Sequence, residues 1–179
     1  LNIMMPGAKV EWSAKAAQTL TALRGFDLVV DATGEEALSL ALNQAAVDRR
    51  PSGPALLFCW LMGNGAAAQC ILVDGEAGKA CLKCLKPELA GEPVYPVMRP
   101  DVEMEFGRVE ACADGEFVTF PVSRSVAAAA LACDLALDWA AGRPGHRLRT
   151  RIFEPDKAFE VADCSPGVTD RCPACSTRR

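Results

Sequence analysis

Phe26-Asp27-Leu28-Val29-Val30-Asp31-Ala32-Thr33-Gly34 is the stretch whose reading decides the fold. Its apolar, β-branched centre predicts a buried strand from Phe26 to Asp31, and Thr33-Gly34 then turns the chain. Glu35 to Arg49 predicts a helix. Glu35 and Glu36 fall in its first turn and Arg49 and Arg50 close it, each where the helix dipole favours that charge. Leu38, Ala41, Leu42, Ala45 and Ala46 line its apolar face. Pro51-Ser52-Gly53-Pro54 breaks the pattern, and Ala55 to Met62 is a second uninterrupted apolar strand. Strand, helix and strand with short links predict an α/β sheet covered by helices.

Working outward, Ser13 to Leu23 reads as a short helix with Ser13 as its N-cap. Gly63-Asn64-Gly65 is a turn, and Gln69 to Asp74 a third strand. Residues 85–111 form a long connection. Pro87, Pro93, Pro96 and Pro100 deny it a regular period, so it is expected to be irregular and more mobile than its flanks. Ser123 to Ala141 predicts a helix whose four successive alanines, 127–130, suit close packing, and Gly142 is its expected C-cap. Leu148 to Phe153 and Phe159 to Asp163 read as strands. Residues 164–179 read as a tail tied back onto a single domain, 1–179.

Composition excludes several classes of protein. Half of the 179 residues are hydrophobic and 23% are charged, unlike a disordered chain. Nineteen basic residues against 23 acidic ones give a net charge of −4, which is no footprint for nucleic acid. The apolar run from Val126 to Ala141 is broken by Asp134 and Asp138, so no membrane span is expected. A Ser-His-Asp triad or a His-rich metal centre would rest on the single His146.

The nine cysteines carry the most chemistry. Cys81 and Cys84 form one C-x-x-C, Cys172 and Cys175 a second, and about half of the 179 residues lie between them. Two such knuckles complete a tetrahedral four-cysteine site for Zn2+, with no open coordination position and hence a structural role. A thioredoxin-like redox pair is the competing reading, but Cys172-Pro173-Ala174-Cys175 lacks the strand-to-helix setting that it needs. Leu1 to Val10 lacks the charged and apolar regions of a secretory signal, so a reducing, cytoplasmic setting is expected. Cys59, Cys70 and Cys133 lie in apolar patterns and are expected to be buried. Asp31, leaving the C-terminal end of a buried strand, stands where open sheets bind ligands; it equally suits a turn or cap beside Thr33-Gly34.

Taken together, Leu1-Asn2, the Asp31 strand with Thr33-Gly34, Asn43, the strand at Ala55 and Cys81-Leu82-Lys83-Cys84 resemble the ThiF/MoeB family of ubiquitin-activating-type adenylating enzymes. The second C-x-x-C, within Cys164 to Cys175, fits the family's final element. The resemblance covers nearly the whole chain. It implies the C-terminal part of a Rossmann-like fold, a mixed sheet flanked by helices with a four-cysteine zinc knuckle. It further implies an enzyme that uses ATP and Mg2+ to adenylate the C-terminus of a ubiquitin-like protein and passes the acyl group to a thiol or sulfur carrier, working as a homodimer. Asp31 matches the family's metal- and phosphate-binding aspartate. Cys112, before the small-residue helix, matches a position where several members carry a reactive cysteine.

The chain departs from the pattern at Gly34 and Glu35, where MoeB-like members usually carry Asp-Asn. No G-x-G-x-x-G loop is present, and Gly63-Asn64-Gly65 joins two strands and opens no helix. The resemblance therefore implies that these residues alone are inactive. A degenerate family member serving as a protein-binding scaffold is the alternative. A Rossmann-type oxidoreductase half is disfavoured by the missing glycine fingerprint.

Overall fold

The computed structural model describes residues 9, 25–85, 94–108, 116–143, 145–170 and 172–175. The helix expected at 13–23 lies outside them, as do Leu1, Asn2 and Cys112. Strand β1 (Leu28–Asp31), helix α1 (Glu36–Asp48) and strands β2 (Ala55–Met62) and β3 (Ala67–Val73) follow in the predicted order. β1 pairs parallel with β2, Leu28 opposite Ala55 and Asp31 opposite Phe58. α1 supplies the crossover that a parallel pair requires. After β2 the chain reverses through a single 3-10 turn at Gly63–Gly65. β3 therefore returns antiparallel, with Cys59 opposite Cys70.

The chain continues through the one-turn helix α2 (Leu82–Leu85), the short strands β4 (Phe106–Arg108) and β5 (Glu116–Val118), helix α3 (Val122–Ala140) and strand β6 (Leu148–Ile152). β6 pairs antiparallel with β3, giving a mixed four-stranded sheet in the order β1-β2-β3-β6.

Period-two alternation divides the core in two. Ala55, Leu57, Ala68, Cys70 and Leu72 face α3, which meets them with Ala128, Leu131, Ala132 and Leu135. Leu56, Phe58, Ile71, Val73 and Leu148 face the other way, onto α1, α2 and the C-terminal tail. Each large side chain fully buried here stabilises the fold by roughly 1.5–3 kcal/mol. Both faces of the central strands β2 and β3 are thus covered, as their continuous apolar runs predict. β1, expected as a buried strand from Phe26 to Asp31, is instead the edge strand of the sheet, with Phe26 and Val30 exposed. Among the described residues, no helix is long and apolar enough to cross a membrane.

Phe159 to Asp163 is not a strand. Leu148 exchanges both backbone hydrogen bonds with Cys164, at 2.8 and 3.0 Å. The N–H of Thr150 then donates to the Asp163 carboxylate at 2.9 Å. A side chain taking the place of a carbonyl ends the ladder after one bridge.

The described part of the long connection, 94–108, is more regular than expected. Its end forms β4, which pairs antiparallel with β5, Phe106 opposite Val118. Asn64 clamps the base of this hairpin to the sheet. Its Nδ2 donates to the carbonyl oxygens of Glu105 and Thr119 at 2.7 and 2.9 Å, and its Oδ1 accepts the Glu105 N–H at 2.9 Å. Asn64 holds a φ of 58°, a left-handed conformation that asparagine tolerates.

Cys133 is exposed, contrary to expectation. Leu131 is one of the sheet-facing residues of α3, and a residue two positions further along is turned about 200° around the helix axis, away from the sheet. Cys70 is buried and Cys59 half-buried, and burial pushes their thiols up to about 12 and about 11.

Candidate metal centre

Two short segments running side by side bring the distant cysteine pairs together. Ala80 N–H donates to the Pro166 carbonyl at 2.9 Å, and Val168 N–H to the Gly78 carbonyl at 3.1 Å. Lys79 and Gly167 form the bridge between them. Cys81 follows the first segment and enters α2, whose turn carries Cys84 back over it, with Cys84 N–H on the Cys81 carbonyl at 3.0 Å. Cys172 follows the second segment, its N–H on the Thr169 carbonyl at 3.1 Å. Among the described residues, Cys172 and Cys175 stand in a turn and not at a strand-to-helix junction of the redox type.

The Sγ atoms of Cys81, Cys84, Cys172 and Cys175 all lie within 4.8 Å of one another. Cys81 is 3.9 Å from Cys84, 3.7 Å from Cys172 and 3.5 Å from Cys175, and Cys84 is 3.9 Å from Cys175. A tetrahedron with Zn–S bonds of ~2.3 Å has edges of about 3.8 Å. The four sulfurs thus already have the separation that one such ion demands. Cys81, Cys84 and Cys172 are buried and Cys175 is half-buried. Leu82, Leu85, Ala174 and Leu148 belong to the same packed cluster. An all-sulfur, closed and desolvated donor set fits Zn2+ in a structural role, in which it would join the tail to the sheet.

Hydrogen bonds from the Cys81 thiol and from backbone N–H groups lower the Cys84 thiol below its ordinary value, against its burial. Donating that bond, together with burial, keeps Cys81 well above the ordinary thiol range. Burial pushes Cys175 up to about 11.

Two residues from α1 and its C-terminal turn reach the sulfurs. Asn43 has 0% of its surface exposed. Its Oδ1 accepts the Leu82 N–H at 2.8 Å, and its Nδ2 approaches the Cys81 Sγ at 3.5 Å. Nη1 of Arg50 lies 3.9 Å from the Cys175 Sγ. The residue pattern assigns neither of them a role at the metal centre. The available signal was Asn43 between Leu42 and the alanines of a face read as apolar, because a buried amide must find partners.

Asp31 ends β1 with 6% exposure. Its Oδ1 accepts the N–H and hydroxyl of Thr33 at 3.1 and 2.8 Å, and its Oδ2 accepts the Ser39 hydroxyl at 2.5 Å. These bonds close the link from β1 to α1, as a turn residue would, and leave a lone pair on Oδ2 that can still meet a donor or a cation. Cys112 lies between Arg108 and Glu116, the residues paired where β4 ends and β5 begins, and is itself outside the described residues.

The structure thus defines a mixed α/β sheet flanked by helices and sealed by a cluster of four cysteines. In sequence, the chain is similar to the ATP-dependent ubiquitin transferase-like protein Cap2 of Pseudomonas aeruginosa, 32% identical over 178 residues. The match takes in 99% of this chain and 31% of that protein, so the chain spans about a third of its relative's length. No family model matches the chain.

Proposed function

We propose that these residues form the C-terminal part of an ATP-dependent enzyme that adenylates the C-terminus of a ubiquitin-like protein and passes it to a thiol or sulfur carrier. The observation that carries this reading is the 32% identity, sustained over 99% of the chain, to a protein named as an ATP-dependent ubiquitin transferase-like protein. The four-cysteine cluster supports it, because the ThiF/MoeB resemblance includes two C-x-x-C pairs in these places.

In the first step a carboxylate oxygen of the ubiquitin-like protein attacks the α-phosphorus of ATP. A P–O bond forms, the bond to pyrophosphate breaks, and an acyl-adenylate results. A thiolate then attacks the acyl carbon, the bond to AMP breaks, and a thioester forms. We assign Cys112 as the acceptor thiol and Asp31 to the ATP–Mg2+ side of the reaction. The four-cysteine centre, holding Zn2+ on Cys81, Cys84, Cys172 and Cys175, is assigned a structural role. The active form is a cytoplasmic homodimer, and the exposed side chains of Val122, Val126 and Leu137 on α3 supply apolar surface for assembly. The present residues alone are inactive.

A second reading, a scaffold that binds a protein without chemistry, draws on one observation: both oxygens of Asp31 are already engaged by Thr33 and Ser39. ATP–pyrophosphate exchange by the full-length protein, with and without the ubiquitin-like protein, separates the two. The enzyme reading expects exchange that depends on that protein, retained by Cys112→Ala although transfer is lost, and reduced by Asp31→Asn. Binding of the ubiquitin-like protein with no exchange would establish the scaffold instead.

A further inference from the structure

We infer that Asn43 and Arg50 are positioning residues of the four-cysteine centre, set to orient its sulfurs and to face their charge when a metal is bound. The inference rests on the zinc reading and adds to it the outer partners of the sulfurs. Four thiolates around one Zn2+ carry a net charge of −2. Such a charge buried between α1, α2 and the tail is costly unless donors and a cation face it.

Asn43 lies on α1 and Arg50 two residues past its end, in the turn where its N–H donates to the Val47 carbonyl at 3.3 Å. Ala46 and Val47, between them, are buried in the same packed cluster as Cys81, Cys84 and Cys172. Asn43 is fixed from behind by the Leu82 N–H on its Oδ1, which turns the Nδ2 donors toward Cys81. The orientation is therefore set by a backbone group of the same knuckle that supplies the sulfur. Arg50 approaches from the other knuckle, with Nη1 beside Cys175. Its Nε is buried and has no hydrogen-bond partner among the described residues. A guanidinium that gives up solvent there, with one donor unanswered, is accounted for by the negative charge that it faces. One donor thus serves each C-x-x-C, and both come from a third element, so α1 is coupled to the metal that joins α2 to the tail.

The test is zinc affinity, measured by competition with a chromophoric chelator, together with the sulfur-to-metal charge-transfer bands of the Co2+-substituted protein. Asn43→Asp keeps the acceptor for Leu82 and removes the donor to Cys81. Arg50→Met keeps most of the side-chain volume and removes the charge, and Arg50→Lys restores the charge. Asn43→Asp and Arg50→Met are expected to weaken zinc binding about 10–100-fold and to shift the Co2+ bands. Arg50→Lys is expected to recover most of the affinity. Circular dichroism of each zinc-loaded variant reports the fold, and the Lys-against-Met comparison stands even if Asn43→Asp does not fold. Folded variants that keep wild-type affinity and bands would overturn the inference and leave the zinc reading intact. A wild-type protein that binds no stoichiometric zinc would overturn the zinc reading itself.

Discussion

The Sγ of Cys81 and the Sγ of Cys172 lie 3.7 Å apart although the residues are 91 positions apart in the chain. A contact of such long range closes a large loop, and the entropy lost in closing it must be offset by what forms at the junction. The backbone bonds between 78–80 and 166–168 contribute, and a shared ion would contribute more. Chelation is therefore expected to release the tail selectively. On addition of a strong chelator, the amides of Ala80, Val168 and Cys172 should exchange faster with solvent, while those of β2 and β3 stay protected. Uniform protection before and after would count against a metal staple.

Asn64 should matter more than a turn residue normally does. It joins β4 and β5 to the β2–β3 turn through three hydrogen bonds from one amide side chain. Asn64→Gly tolerates the positive φ and removes the clamp. The expected cost is about 1–3 kcal/mol, chiefly from leaving the Glu105 and Thr119 backbone groups without a partner. Equilibrium denaturation measures it, and hydrogen exchange should localise the loss to 105–108 and 116–119.

Much of the fold was legible because both faces of the central strands β2 and β3 are buried. The continuous apolar run at Ala55 to Met62 needs no alternation to be read, and α1 is bracketed by Glu35-Glu36 and Arg49-Arg50 although both arginines fall past its last turn. The run before Asp31 marked a strand but not its burial, because β1 is an edge strand with Val30 exposed. Legibility failed where side chains replace backbone partners. Asp163 stops a strand that the apolar residues around it favour, and Asn64 props up two three-residue strands too short to read. That Cys81, Cys84, Cys172 and Cys175 gather at one place was legible from spacing alone, since C-x-x-C has local meaning. Asn43 and Arg50 were not, because their role depends on sulfurs that the chain brings to them from 81 to 84 and from 172 to 175. The exposure of Cys133 was hidden because the alanine-rich helix is apolar nearly all round, which obscures the face that turns to the sheet.

Arg147 donates to the Asp74 carboxylate through Nε and Nη2 at 3.2 and 2.7 Å and also pairs with Glu76. Burial works to raise the Asp74 carboxyl, but the hydrogen bonds and charge of Arg147 outweigh it and hold the carboxyl below its ordinary value. A carboxylate lowered on folding stabilises above its unfolded pKa, and that stability is lost as pH falls through the folded one. Arg147→Met is therefore expected to cost about 1–2 kcal/mol near pH 7. The gap from wild type should shrink as pH drops below about 4. Urea titrations of both proteins across pH test this. Any effect of acid on the cysteine cluster is common to the two and cancels in the difference.

Thiol reactivity should follow exposure and ionisation. Cys70 is buried and its thiol pushed up to about 12, and Cys59 to about 11, so both should resist alkylation in the native protein. Cys133, exposed on α3, should be labelled well before either. Limited iodoacetamide treatment with peptide mapping gives the order, and adding zinc should protect Cys81, Cys84, Cys172 and Cys175 together. Labelling of Cys70 ahead of Cys133 would contradict the packing of α3 on the sheet.

Native mass spectrometry of the reduced protein tests the central claim, that two distant C-x-x-C pairs build one metal centre, most directly. About one Zn2+ per chain is expected, lost on chelation and lost equally in Cys81→Ser and Cys172→Ser, since each removes one corner of the same tetrahedron. A metal-free mass after purification in zinc-replete, reducing buffer would contradict it. So would zinc retained at full stoichiometry when either knuckle is broken.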